Sequence, residues 1–232
     1  MAELITKDDL LNKLRAYCET PDDETIRYKN KIKNALLYCP ELLYAMDEKE
    51  LESELFDEDG NINWDPETHE PLGEWDKYFG DSANIRPALF IPDTQTKVKN
   101  YVCYQVMFDE LPRYNNIQKY TEITFTIFCQ EADRLDSKTG ISRHDLIGSI
   151  IRERFNWSNI FGMQAKLISS KESTTDNHYL VRTLVFQLLD LNGIAYTPFN
   201  EKPLIRNNEY WQEKKNSILT TMNLKFIEEK IL

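Results

Sequence analysis

Near residue 100 the hydrophobic pattern of the chain changes period, and few folds survive the change. In "VKNYVCYQVMF", Val102, Tyr104, Val106 and Phe108 alternate with Tyr101, Cys103, Gln105 and Met107. That is the two-residue period of a strand with two distinct faces. "LPRYNN" breaks the pattern, and "YTEITFTIFCQE" resumes it with Ile123, Phe125, Ile127 and Cys129 on one face and Thr124 and Thr126 on the other. After "ADRLDSKTG" the period becomes helical: in "GISRHDLIGSIIRERF", Leu146, Ile147, Ile150, Ile151 and Phe155 fall on one apolar stripe. "MQAKLISSKES" and "NHYLVRTLVFQLLDL" then read as two more strands joined by the hairpin-type connection "STTDN". The order strand, strand, helix, strand, strand predicts an α+β core in which the helix packs on one face of a small antiparallel sheet.

Two different regions precede this core. "TKDD" makes a capping-box start with Thr6 and Asp9, followed by an apolar face of Leu10, Leu11 and Leu14. A second helix starts at Thr20 as cap with Pro21 at its first position, carries Ile26, Lys29, Ile32 or Lys33, Leu36 and Leu37, and stops at Pro40. "ELLYAMDEKELESEL" allows one or two further turns. From residue 56 the period disappears among Gly60, Pro66, Pro71, Gly73 and Gly80, with Trp64, Trp75, Tyr78 and Phe79 set between acids. Disordered segments have few aromatics, so an ordered arm is predicted, docked on its own core or on a neighbouring copy. The expected organisation is a helical region over 1–55, an acidic aromatic-rich arm over 56–95, the α+β core over 96–195 and a tail over 196–232.

The charge is as uneven as the period. Residues 47–81 hold fourteen acids and two lysines, a net −12 within a chain whose total is −11. The remainder is close to neutral and lacks the surplus of Lys and Arg that wholesale DNA binding needs. Cys18, Cys39, Cys103 and Cys129 are far apart in sequence and sit in apolar patterns, which predicts buried free thiols and a reducing compartment. No segment approaches the roughly 18 apolar residues that span a bilayer. The start "MAELITKDDLLNKL" lacks the basic and apolar regions of a signal peptide, so no membrane partner and a cytoplasmic site of assembly are expected.

The residues that most resemble chemistry have simpler readings. Ser142 is a good N-cap and Asp145, three residues on, a capping-box acid, with Arg143, Arg152 and Arg154 off the buried stripe. A His144–Asp145 metal doublet would need further His and Asp ligands, and the only other histidines are His69 and His178. "DEDGNINW" sets Asp57, Asp59 and Asn61 around Gly60, but alignment to a calcium loop puts Leu55 at the first ligand position and Pro66 at the last, so a turn is expected. A metal-dependent nuclease built on Pro92-Asp93 and Gln164-Ala165-Lys166 lacks one acid, and its halves lie about seventy residues apart. With 7 glycines, no Walker loop, no dinucleotide fingerprint and no nucleophile elbow, the chain offers little for phosphate cradling. No catalytic residue, metal ligand or cofactor is predicted.

The segment from "NIRPALFIPDTQTKVKNYVCYQVMF" through "LVRTLVFQL", residues 84–191, resembles the neck proteins of tailed bacteriophages of Gram-positive hosts, the tail-terminator and tail-completion group in particular. The group shares a small antiparallel sheet flanked by helices, with a helix between strand pairs and a late hairpin. The resemblance implies a structural virion protein: a hexameric ring that caps the tail tube and joins it to the head connector, without enzymatic activity. Its partners would be copies of itself, the tail tube protein and a head-completion or portal-side protein, with DNA passing through the lumen without specific binding. In such a ring Trp64, Trp75, Tyr78, Phe79, Arg152, Arg154 and Arg182 are the expected subunit or partner contacts, and Asp57, Glu58 and Asp59 an acidic face toward lumen or solvent. Phe155 and Trp157 would close the helix onto the sheet, and the edge around "YTEITF" would pair across subunits. The alternatives are a non-viral cytoplasmic assembly or adaptor protein and the nuclease.

Overall fold

Both alternating pairs enter one sheet. In a computed structural model of the protein the strands are β1 (Ile85–Arg86), β2 (Tyr101–Glu110), β3 (Gln118–Gln130), β4 (Lys166–Thr174) and β5 (Tyr179–Leu191), in the spatial order β1-β2-β3-β5-β4. Pairing is antiparallel except that β1 runs parallel to β2, with Ile85 opposite Val102. Phe125 stands opposite Tyr104 on one side and Leu184 on the other, so the apolar sets of three strands share one face. The fold is α+β. β1, two residues long, is too short to show a period and has no counterpart in the sequence reading.

The structure describes residues 6–19, 24–68, 70–80, 82–90, 92, 99–110 and 118–191, all within the unit Met1–Gly193. Thr20, Pro21, His69, Asp93, the "LPRYNN" connection, the side chain of Cys18 and the tail 196–232 lie outside the described residues. No helix among the described residues is long and apolar enough to cross a membrane.

Helix α5, Arg143–Phe155, covers the apolar face. Ile147, Ile151 and Phe155 are fully buried, with Leu146 and Ile150 packed at the margin. The Phe155 ring lies 4.8 Å from Phe125, which meets Phe186 edge-on at 5.8 Å. Each such side chain contributes roughly 1.5–3 kcal/mol by burial. On the reverse face Tyr101, Cys103, Phe128, Tyr179 and Val181 form a smaller cluster under Phe90, where the Arg86 guanidinium sits 3.8 Å from the Phe90 ring.

Among the described residues four α-helices precede the sheet: α1 (Lys7–Glu19), α2 (Glu24–Leu37), α3 (Pro40–Ala45) and α4 (Glu52–Leu55). The capping box at α1 is formed, Asp9 N donating to Thr6 Oγ1 at 3.2 Å and Thr6 N to Asp9 Oδ2 at 2.9 Å. The leucines of its expected apolar face, Leu10, Leu11 and Leu14, are exposed. The inward side of α2 is Tyr28, Ile32, Ala35 and Leu36, rotated from the side expected, because Tyr28 packs its ring against Phe108 and Phe161. Pro40 ends α2 and opens α3, where its missing N–H costs nothing.

The arm is ordered by isolated bridges, Phe56–Ile62, Trp64–Pro71 and Phe79–Ile85, and by a 3-10 turn at Trp75–Tyr78. Gly73 sets its distance from α4: a Cβ there would collide with the Glu54 carbonyl oxygen. "YTEITF" lies in β3, which pairs on both sides, so it presents no edge for a neighbouring subunit. Among the described residues the edge strands are β1 and β4, and the residues of β4 are mostly exposed. Cys39, Cys103 and Cys129 are buried free thiols, and burial pushes the Cys39 thiol up to about 11.

Candidate functional site

The head of α5 is built differently from a simple capping box. Ser142 occupies the N-cap, but its side chain accepts no capping bond; its carbonyl takes the amides of Asp145 at 3.0 Å and Leu146 at 2.9 Å. Asp145 turns away from the helix start, and its Oδ1 accepts from Arg182 Nη1 at 2.5 Å. Arg143, expected off the buried stripe, is one of the largest fully buried side chains. The reason is a set of three carboxylates from two separate segments. Arg143 Nε lies 2.8 Å from Asp133 Oδ2, Nη1 3.2 Å from Asp136 Oδ1 and Nη2 3.5 Å from Asp47 Oδ2, while Nη1 also donates to the Ala45 carbonyl at 2.9 Å. A planar guanidinium with five donors can satisfy such a shell, and a lysine cannot. Burial opposes ionisation of Asp136. Hydrogen bonds from Thr139 and the charge of Arg143 outweigh it and hold that carboxyl below the usual aspartate range.

Arg182 of β5 lies flat against the helix at Gly148, where a Cβ would come within 2.8 Å of its Cδ. A larger residue at 148 would push the guanidinium from Asp145. His144, Asp145 and Glu172 bring their ligand atoms within 4.8 Å of one another, the one such group of three found among the described residues. One imidazole and two carboxylates suit zinc or manganese in kind. However, Arg182 already holds Asp145 and is the strand partner of Glu172, so an entering cation would have to displace a guanidinium.

The expected contact residues fall into three places. Trp75 is 1% exposed, its Nε1 donating to the Glu54 carbonyl at 2.8 Å, and Trp64 packs on it with ring centroids 5.6 Å apart. Tyr78 is buried against Leu51, which pushes its phenol well up, and Phe79 is half-buried with Lys33 over its ring at 5.8 Å. These four rings therefore pack on their own chain. Lys77 clamps the arm to Glu54 at 2.6 Å and Glu74 at 2.7 Å; its hydrogen bonds, that to Glu54 first, raise it to about 12. Arg152 and Arg154 are exposed at the end of α5, and Arg182 is half-buried at its start, against Asp145 and Gly148. Trp157 does not close the helix onto the sheet. It is 56% exposed, at a left-handed φ of +61°, its amide donating to Ala165.

Asp57, Glu58 and Asp59 stand on an exposed turn. Asp57 Oδ1 accepts from the amides of Asp59 at 3.0 Å and Asn61 at 2.7 Å, so its carboxylate organises its own backbone. Between α2 and the end of α5 lies an open groove of about 300 Å³, lined by Lys31, Asn34, Ala35, Tyr38, Arg154 and Ile160.

Residues 40–188 match the YomW family over more than half of the chain. The chain belongs to the YomW family. This is a phage-derived family of the Bacillus prophage type. A search of the curated proteins finds no match. The YomW segment runs from the first residue of α3 into β5 and so contains the arm, α5 and the whole Arg143 shell. That shell was missed in the sequence. Asp133 and Asp136 three apart, just before a helix opening on Arg143, are its one visible signal, and Asp47 lies 96 residues from Arg143.

Proposed function

We propose that this YomW chain is a structural protein of a phage neck, one subunit of a ring that ends the tail tube and joins it to the head connector. The observation that carries the reading is the strand order with α5 inserted between β3 and the late β4–β5 hairpin, in a chain of a phage-derived family. The outer edge of β4, without a strand partner among the described residues, adds support, since ring closure is one way to cover such an edge. In this reading the chain works by assembly. It uses no catalytic group and no cofactor, and its partners are copies of itself, the tail tube protein and a head-completion or portal-side protein. DNA passes without specific binding, in keeping with a net charge of −11. The protein is assembled in the host cytoplasm and ends in the virion neck.

The test is electron microscopy of an induced lysate in which this one protein is deleted. Filled heads beside separate tails of uncontrolled length are the expected result. Empty or leaking heads with tails of normal length would move the protein to the head side of the neck. Intact, infectious particles would sink the neck reading and favour an adaptor role.

A further inference from the structure

We propose that α1 pairs antiparallel with the α1 of a second copy of the chain, burying a strip of leucines and setting Asp8 of each copy against Arg15 of the other. The inference goes beyond the ring reading and does not rest on it, since α1 precedes the YomW segment, which begins at residue 40.

Every described side chain of α1 is exposed, with Leu10 at 52%, Leu11 at 43% and Leu14 at 62%. A helix of 13 residues is marginal in water by itself, and most helical stability in proteins comes from burying an apolar face. Leu11 and Leu14 are three apart on one side of the helix, and Leu10 widens the strip. That is the width of a seam for one neighbouring helix. Asp8 and Arg15 are seven residues apart, two turns, so both stand on the same border of the strip. Both are exposed, and neither pairs with an opposite charge among the described residues.

Charge identifies the occupant and its direction. The chain carries −11, yet along α1 Lys7, Lys13 and Arg15 balance Asp8, Asp9 and Glu19. A second copy can therefore approach here without the repulsion that the acidic arm imposes. In an antiparallel pair that sets Leu11 against Leu14 of the second copy, residues on the same border meet across the seam. Asp8 then faces Arg15 of the second copy, and the twofold axis repeats the contact. A parallel pair would set Arg15 against Leu10 of the second copy and leave the acids and bases unmatched. The antiparallel contact is isologous, so it cannot link neighbours around a simple ring. It joins two free chains, or two rings face to face.

The test uses the full chain, followed by sedimentation velocity over a concentration series and by native mass spectrometry, with thermal melts to confirm folding. Wild type should associate as dimers of chains or of rings. Leu11→Gln with Leu14→Gln should abolish that association. Asp8→Arg and Arg15→Asp should each weaken it by about tenfold, since each replaces two opposite-charge contacts with two like-charge ones. Both reversals in one chain, or a mixture of the two single variants, should recover most of the loss, because every arginine then faces an aspartate again. A wild type that is monomeric at every concentration, or association indifferent to the leucine substitutions, overturns the contact. Leucine-dependent association in which the double reversal is no better than the single ones overturns the antiparallel pairing. A closed oligomer that forms equally well in every variant overturns the α1 pair and leaves the ring standing, and the deletion lysate tests the ring separately.

Discussion

Arg143 Nη1 lies 3.2 Å from Asp136 Oδ1, and neither side chain is more than 3% exposed. Removing one partner of a buried pair strands the other charge away from water, at a cost of about 3–5 kcal/mol. Arg143→Met is therefore expected to lower the unfolding free energy, measured by urea denaturation, by an amount in that range. Arg143→Lys should recover little of it, since one ammonium cannot reach three carboxylates and the Ala45 carbonyl together. A loss under about 1 kcal/mol, the size of a surface pair, would show that the shell does not hold the helix head.

Acid stability follows from the same shell. The Asp136 carboxyl sits below its usual range, so the native state binds fewer protons there than the unfolded chain. That contribution is complete above the unfolded aspartate pKa of about 3.9 and is lost as pH falls through the lower native value. The melting temperature should drop on acidification below about pH 4. Asp136→Asn, which does not titrate, should begin less stable and show a shallower drop; parallel curves would refute the assignment.

Gly148 is the one place where α5 admits the Arg182 side chain. Alanine is the better helix former by up to about 1 kcal/mol, yet its Cβ would lie 2.8 Å from Arg182 Cδ. Overpacking of that kind costs about 1–3 kcal/mol, so Gly148→Ala should destabilise. The same substitution in an Arg182→Ala background should be neutral or stabilising. A double-mutant cycle by chemical denaturation measures the coupling, and additivity would mean that Arg182 yields without cost.

Metal ions test the group of His144, Asp145 and Glu172. With Arg182 on Asp145, adding Mn²⁺ or Zn²⁺ to the wild type should leave its melting temperature unchanged. A saturable rise, abolished by His144→Ala or Glu172→Gln, would count against the structural reading and for a metal site.

What the sequence determined alone is what periodicity can carry. Alternation at Val102, Tyr104 and Val106, again at Ile123, Phe125 and Ile127, and the stripe of Ile147, Ile151 and Phe155 sufficed for the order of the long strands along the chain, their inward faces and the helix between them. Those signals are local: each side chain's direction follows from its neighbours along the chain. Tertiary structure decided matters of partner choice. Arg143 is buried because Asp47, from a distant segment, joins Asp133 and Asp136 of the preceding loop around it, and Asp145 leaves the helix cap because Arg182, 37 residues on, offers a full charge where the Ser142 amide offers a dipole. Among the described residues β4, and not β3, stands at an edge because β5 folds back between them, a pairing that no single strand's pattern contains. Period is written in consecutive residues. Ion pairs and sheet neighbours are settled by which distant segments pack together, since only in the folded interior does the cost of an unpaired charge enforce one partner over another.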